Sequence, residues 1–387
     1  MRNHWLTGVL LLTSLALFLP EVHAGDDPRE LPLLAPGKHL GVIQFQQGAT
    51  PEARARIKTL WDEAVAKGMS VARVHTDWDA LETGPGEYQK ASVEEQMKSF
   101  HEQGLQFMVT ISTLDTGALT LPPDLQDPED QTRLADGMNI DDPKVAKRFL
   151  ALLDWVVPLM TRYGGFLLSV ANEPDTMFED HPEYIQGLAN LIAASRRHVQ
   201  AINPKMAVSA TLTGGAFRPG DEWVPTIMNE CDVALFNYYG LNPLTLQVED
   251  DFKLKKYMAD AARVADGRQF IIQEWGCPGG YEDKPTVMNA SLERQREYFA
   301  ETAEVMLAEP KFRAAFVFEL VDWSPELVTM FNDTLTQGVE DESELGVLPP
   351  LTEWLRTTGL VRYEDGSPRP GWHAFLESIE TLAASRR

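Results

Sequence analysis

Eight short apolar runs, most of them followed by a segment of helical period, recur along this chain and leave few folds that can accommodate them. The runs are Leu40–Phe45, Ser70–Val74, Leu105–Ile111, Gly165–Ala171, Met206–Leu212, Asp232–Phe236, Gln269–Gln273 and Ala314–Phe318. Each has the length and composition of a buried strand. Helical segments are expected at Pro51–Lys67, Val93–Gln103, after Asp142-Pro143, at Ile185–Ile202, Trp223–Met228, Leu254–Val264 and Leu292–Leu307. Strands that alternate with helices build a parallel sheet, and eight of them favour one that closes on itself, an α/β (β/α)8 TIM barrel. The open doubly wound alternative lacks its Gly-rich nucleotide-binding turn here. A barrel of roughly 250 residues plus loops uses most of the chain as a single catalytic domain over residues 25–387, and no linker or internal repeat interrupts it.

Local signals sharpen the expected elements. Pro51 suits the first turn of its helix and Gly68 ends it. Asp142 caps a helix in which Val145, Phe149, Leu152, Val156 and Leu159 share one face, with a kink expected at Pro158. Ser112–Asp141 holds three prolines and no clear period, so it is expected as a long functional loop. Pro349–Thr358 and Gly371–Ala384 supply the closing helices.

Residues 1–24 read as a signal peptide: Arg2, the apolar run Leu6–Leu19, then Val22-His23-Ala24 as a small-residue cleavage site. The run is shorter than the ~20 residues that span a bilayer, so export with cleavage after Ala24 is expected, to a secreted or periplasmic location. No membrane insertion is expected after leader removal. Arg2 and Glu21 cancel within the leader, so the mature chain keeps the formal charge of −24. That charge argues against nucleic acid as a partner. Cys231 begins the sixth strand at one end of the barrel and Cys277 follows the seventh at the other. A strand length of ~17 to 20 Å exceeds disulfide reach, and two free thiols are expected.

Two of the apolar runs stop at carboxylates: Leu168-Ser169-Val170-Ala171-Asn172-Glu173-Pro174 and Ile271-Ile272-Gln273-Glu274-Trp275-Gly276. In a barrel the C-terminal ends of all strands share one face, so Glu173 and Glu274 meet at its mouth. A carboxylic acid that protonates a leaving oxygen, opposed by a carboxylate that attacks carbon, is the equipment of glycoside hydrolysis. The same face collects Arg73, Asn172, Tyr238, Tyr239, Trp275 and Trp323 as candidate substrate-binding residues, with Trp78 from the loop after the second strand. Of Tyr238 and Tyr239, one is expected to face each way. Glu319 and Asp322 are further carboxylates near this face.

These motifs resemble clan A of the glycoside hydrolases over nearly the whole mature chain, with features of families 5, 39 and 42. The resemblance implies a retaining (β/α)8 enzyme in which Glu173, after Asn172, is the acid/base and Glu274 the nucleophile. Arg73 with the Trp78–Tyr88 loop (WDALETGPGEY) resembles the strand-2 arginine and loop common in those families, and Asn237-Tyr238-Tyr239 resembles the strand-6 tyrosine that holds the nucleophile. Gly366-Ser367-Pro368-Arg369-Pro370 resembles the tail of many members. The chain departs from family 5 where Ser112-Thr113-Leu114-Asp115 stands in place of a histidine, and where Phe318-Glu319 precedes Trp323 after the eighth strand. The implied substrate is a β-linked oligo- or polysaccharide.

Competing chemistries leave no trace: there is no G-x-S-x-G, no G-x-x-x-x-G-K and no H-E-x-x-H. No cofactor and no metal are expected. A catalytically silent glycan-binding barrel is the alternative, and loss of aryl glycoside turnover in Glu173→Ala discriminates against it.

Overall fold

The computed structural model describes residues 30–386 apart from 131, 219, 243–244, 250–251, 337–345 and 347. The expected leader, residues 1–24, lies outside the described residues. The strands are β1 (His39–Val42), β2 (Val71–Asp77), β3 (Gln106–Ser112), β4 (Gly165–Asn172), β5 (Ala207–Leu212), β6 (Ala234–Tyr239), β7 (Phe270–Gly276) and β8 (Phe312–Val317). Each pairs in parallel with the next from β2 to β8, and β8 pairs in parallel with β1. The ring meets itself between β1 and β2, where a Cβ on Gly41 would stand 2.2 Å from the Val71 carbonyl oxygen. Only glycine permits that approach. The fold is a (β/α)8 barrel.

The principal helices of the outer layer are α1 (Pro51–Lys67), α2 (Lys90–Glu102), α3 (Pro143–Tyr163), α4 (Glu183–Ile202), α5 (Trp223–Met228), α6 (Leu254–Ala265), α7 (Leu292–Ala308) and α8 (Pro370–Ser385). Thr50 caps α1 by accepting from the Ala53 amide, and Gly68 closes it with φ at 114°. Asp142 caps α3 through the Lys144 amide, and Pro158 stays inside that single helix on its exposed side. A further helix, Pro325–Thr336, falls where no element was expected, and Leu348–Thr357 packs beside it.

Alternation along the strands divides the core in two. Val71, Met108, Leu167, Ala207, Leu235, Ile271, Ala314 and Phe316 pack inside the barrel with Leu31 and Leu34, whereas Ala72, Val109, Leu168, Val208, Phe236, Ile272 and Ala315 pack outward in the cluster shared with the helices. Two bulges break this period at its functional end: one on β4 between Ser169 and Asn172 against β5, and one on β7 between Ile272 and Glu274, where β6 continues without a break from Phe236 to Asn237. A bulge adds a residue to one strand and re-aims the side chains beyond it.

β6 and β7 run further than the sequence suggests, because Asn237-Tyr238-Tyr239 and Glu274-Trp275-Gly276 still pair across the sheet. The segment from Ser112 to Asp141 is not a structureless loop either. It contains a hairpin, Leu114–Asp115 with Ala118–Leu119, and two 3-10 turns, anchored by buried Leu114, Leu121, Leu125, Leu134 and Ile140. The hairpin pairs Asp115 with Asn172 at the end of β4. Cys231 precedes β6 and Cys277 follows β7, both buried and free.

Candidate active site

The bulge on β7 turns Gln273 and Glu274 both toward the barrel axis. Gln273 Oε1 accepts from Thr110 Oγ1 at 2.8 Å and Thr211 Oγ1 at 2.7 Å, and its amide donates to Asn172 Oδ1 at 2.8 Å. With its oxygen bonded twice and its amide once, Gln273 ties β3, β4 and β5 together in the layer beneath the glutamates. Above it, Glu274 Oε1 accepts from Arg73 Nη1 at 2.7 Å and Oε2 accepts from the Tyr239 hydroxyl. The ion pair is enclosed, with side-chain exposures of 1% for Arg73 and 9% for Glu274. Low local dielectric strengthens such charge-assisted bonds, and both partners address Glu274 as a carboxylate.

Glu173 leaves the end of β4 with φ 49° and ψ 41°, the left-handed region that a non-glycine residue rarely adopts. Its amide donates to the Thr211 carbonyl at 2.8 Å, and the Thr176 hydroxyl donates to the Glu173 carbonyl at 2.6 Å. Strain of this kind is held by surrounding structure and collects at functional sites. Its carboxyl accepts from Asn237 Nδ2 at 2.9 Å, and its other oxygen lies 3.2 Å from Thr116 Oγ1, whose single proton goes to Asp115 Oδ1 at 2.8 Å. Asn237 also donates to Asn172 Oδ1 at 3.1 Å, and Asn172 in turn donates to Asp115 Oδ1 at 2.9 Å.

The two glutamates therefore differ in their neighbours. Burial and then the Glu274 charge push the Glu173 carboxyl up to about 8, so it holds a proton at neutral pH. Burial and the charges of Glu274 and Glu173 carry Tyr239 well above the ordinary phenol range, which keeps it a donor. Burial alone would raise Asp115, but hydrogen bonds from His75, Asn172 and Ser112 prevail and hold it down at about 2.

The structure corrects three of the expected substrate-binding residues. Trp275, with no exposed surface, points into the helix layer, where its indole nitrogen donates to Thr302 Oγ1 at 3.0 Å and its ring meets Tyr298 at 4.9 Å. The bulge that aims Glu274 inward aims Trp275 outward. Tyr238 also faces outward, donating to the Phe252 carbonyl at 3.3 Å beside Tyr257, while Tyr239 faces the mouth. Trp78 is fully buried against Phe149 and donates to Glu82 Oε2 at 2.7 Å. Glu82 also binds Arg148 of α3 and the Gly86 amide, so the Trp78–Tyr88 segment is a clasp between loop and helix.

Trp323 is half-buried, 5.5 Å from the exposed ring of Phe45 and 5.5 Å from Phe331. Asp322 is tied to Arg369 at 2.6 Å and to the Gly359 amide, a structural clamp. Glu319 is fully buried, and burial together with the Asp322 charge raises its carboxyl well above the ordinary range.

Several residues of the site were missed in the sequence. His75 was within reach, since period two from Arg73 puts it on the same interior face. Asn237 was readable in the same way from Tyr239. Asp115 and Thr116 arrive on a hairpin with no local signature. Trp354 stacks on Phe318 at 5.5 Å and meets Tyr239 edge-on at 4.9 Å, from a helix far along the chain. Among the described residues, the donor atoms of His75, Asp77 and Asp115 cluster within 4.8 Å, but the Arg73 guanidinium beside His75 makes that corner unfavourable for a cation.

The arrangement joins a (β/α)8 barrel to a paired-carboxylate site at the C-terminal ends of its strands. Solved structures share the fold. An exo-β-1,4-mannosidase from an Opitutaceae bacterium superposes with a TM-score of 0.65 at 14% identity, covering 92% of this chain and 61% of its own. A family 5 subfamily 18 glycoside hydrolase variant from Bifidobacterium longum, in complex with Manβ1-4GlcNAc, gives 0.63 at 15% identity over 90% of this chain and 78% of its own. Bacteroides uniformis β-glucuronidase 2, covalently bound to a cyclophellitol-type aziridine, gives 0.54 at 15% identity over 88% of this chain and 35% of its own. At these identities the likeness establishes the shared fold. A scan against protein-family models and a search of curated proteins return no match.

Proposed function

We propose that the chain is an exported retaining glycosidase of clan A that cleaves a β-linked glycan by double displacement. One observation carries the reading: two glutamates at the ends of β4 and β7, one raised to about 8 by burial and its partner's charge, the other bonded by Arg73 and Tyr239. Protonated Glu173 gives its proton to the leaving oxygen while Glu274 attacks the anomeric carbon. Glu173, then ionised, draws a proton from water, which displaces Glu274 and restores the starting state. Neither step calls for a cofactor. Phe318, Trp354 and Trp323 are the aromatic faces on which a sugar would stack, and Asn172 would bond a sugar hydroxyl through its remaining amide proton.

The mannosidase, the Manβ1-4GlcNAc complex and the glucuronidase that share the fold make aryl β-mannosides and β-glucuronides the first substrates to assay, with β-glucosides as the third. The first product released should keep the β configuration by NMR, and the carboxyl oxygens of Glu173 and Glu274 should lie about 5 to 5.5 Å apart in a ligand complex. Turnover should also fall as pH rises through about 8, because the acid must carry its proton. An inverted product with the carboxyls ~9 Å apart would overturn the retaining assignment.

Export is proposed on the leader alone. No described helix is long and apolar enough to cross a membrane. The N-terminal sequence of the mature enzyme should begin at Gly25, and a cytoplasmic product that keeps Met1 would refute export.

A further inference from the structure

His75 takes part in no step assigned above, yet it stands between the two halves of the site. It follows Arg73 by two residues on β2 and shares its interior face. Its Nδ1 lies 2.5 Å from Arg73 Nη2, and its Nε2 lies 2.9 Å from Asp115 Oδ2. Ser112 Oγ donates to the same Asp115 oxygen at 2.8 Å and lies 3.2 Å from Nε2. The other Asp115 oxygen takes Asn172 and Thr116, the neighbours of Glu173. A hydrogen-bonded path therefore runs from Glu274 through Arg73, His75 and Asp115 to the surroundings of Glu173.

The protonation pattern along that path follows from donor chemistry. A guanidinium carries only donors, so Nδ1 must be the accepting nitrogen, and Asp115 is an acceptor, so the proton of the neutral ring sits on Nε2. A second proton on Nδ1 would set N–H against N–H and cation against cation. We propose that neutral His75 is a positioning residue that holds Arg73 against Glu274, and that its protonation releases Arg73 and sets the acid limb of activity.

The groups facing the ring are Arg73 and Asp77 from β2, Ser112 from the end of β3 and Asp115 from the hairpin, with Asp77 at 3.8 Å. Glu274 stands behind Arg73, and Glu173 behind Thr116. Desolvation and the Arg73 charge lower the basicity of His75, but the bond to Asp115 and the nearby Asp77 carboxylate outweigh them, and the net direction is above the ordinary value of 6.5. Since the neutral ring is the working form, activity is lost as pH falls through the His75 pKa.

The kinetic arm of the test rests on the glycosidase reading, and the spectroscopic arm does not. In His75→Asn the side-chain oxygen can replace Nδ1 as acceptor for Arg73 but cannot titrate. In His75→Leu the acceptor is gone. Imidazole ¹⁵N NMR of the intact enzyme should find His75 as the Nε2–H tautomer at pH values above its titration. The acid limb of kcat/KM for an aryl glycoside should coincide with its titration. His75→Asn should keep most of the plateau rate and move that limb downward by about one pH unit or more. His75→Leu should lower kcat roughly 10- to 100-fold across the whole profile with little change in KM. A residue with only a structural role would lower the plateau and leave the limb in place. An Nδ1–H tautomer, or an acid limb unmoved in a folded His75→Asn, would overturn the proposal. If the wild-type enzyme turned over no glycoside at any pH, the glycosidase reading would fail, and the NMR tautomer would still decide the Arg73–His75 contact.

Discussion

Glu274→Ala should lose turnover by on the order of 10⁴-fold or more, because no covalent intermediate can form without its carboxylate. Glu173→Ala leaves a different defect. An aryl glycoside whose leaving group needs no protonation still glycosylates Glu274, but the intermediate then waits without a base. Azide needs no deprotonation, so it should attack that intermediate from the face opposite Glu274 and give a glycosyl azide of retained configuration. In Glu274→Ala the small anion enters the vacated space instead and should give the inverted azide. NMR of the anomeric proton reads both outcomes. Swapped configurations would reverse the two roles, and unchanged turnover in both variants would remove these glutamates from the mechanism. The environments already favour one order, since Glu173 is raised to about 8 while Glu274 takes donors from Arg73 and Tyr239.

The second large effect is expected from Arg73→Met. The substitution keeps an apolar stem in the barrel but takes the positive charge from Glu274 at 2.7 Å and the donor from His75. A bond to a charged group contributes about 1.5 to 3 kcal/mol, and loss of the pair's full charge in an enclosed site should lower kcat/KM by about 10²- to 10³-fold. The fold should suffer less. Tyr239 still donates to Glu274, and an unpaired buried carboxyl can take up a proton rather than remain charged. Circular dichroism and thermal melting beside the kinetics separate the two effects. A well-folded Arg73→Met with full activity would make Arg73 a structural residue and would remove the basis for the role given to His75.

Much of the site was legible because a barrel converts chain position into spatial position. Asn172 and Tyr239 end parallel strands and Glu274 stands two residues before the end of its own, all at one face, and Arg73 reaches Glu274 there from the interior of β2. The limits lie in the same strands. Trp275 was expected at the mouth on the strength of its place beside Glu274, but the β7 bulge gives the interior two consecutive residues and sends Trp275 to Thr302 and Tyr298. Tyr238 and Tyr239 sit on a strand whose own alternation is unbroken, and there the expectation that they face opposite ways describes the structure. Trp78 was misplaced for another reason: its indole has a partner four residues on, Glu82, which Arg148 of α3 also binds.

The sequence by itself determined the class of fold and the pair of carboxylates. Strand and helix periods are written in local order, and strand polarity alone sends every C-terminal end to one face. Only the tertiary structure decided which side chains look into the mouth and which glutamate keeps its proton. Bulges arise from register against neighbouring strands, and the path through His75 and Asp115 needs a hairpin that pairs with β4 from another part of the chain. The raised carboxyl of Glu173 is likewise a product of burial and of the Glu274 charge about a hundred residues away in sequence, neither of which exists until the barrel closes.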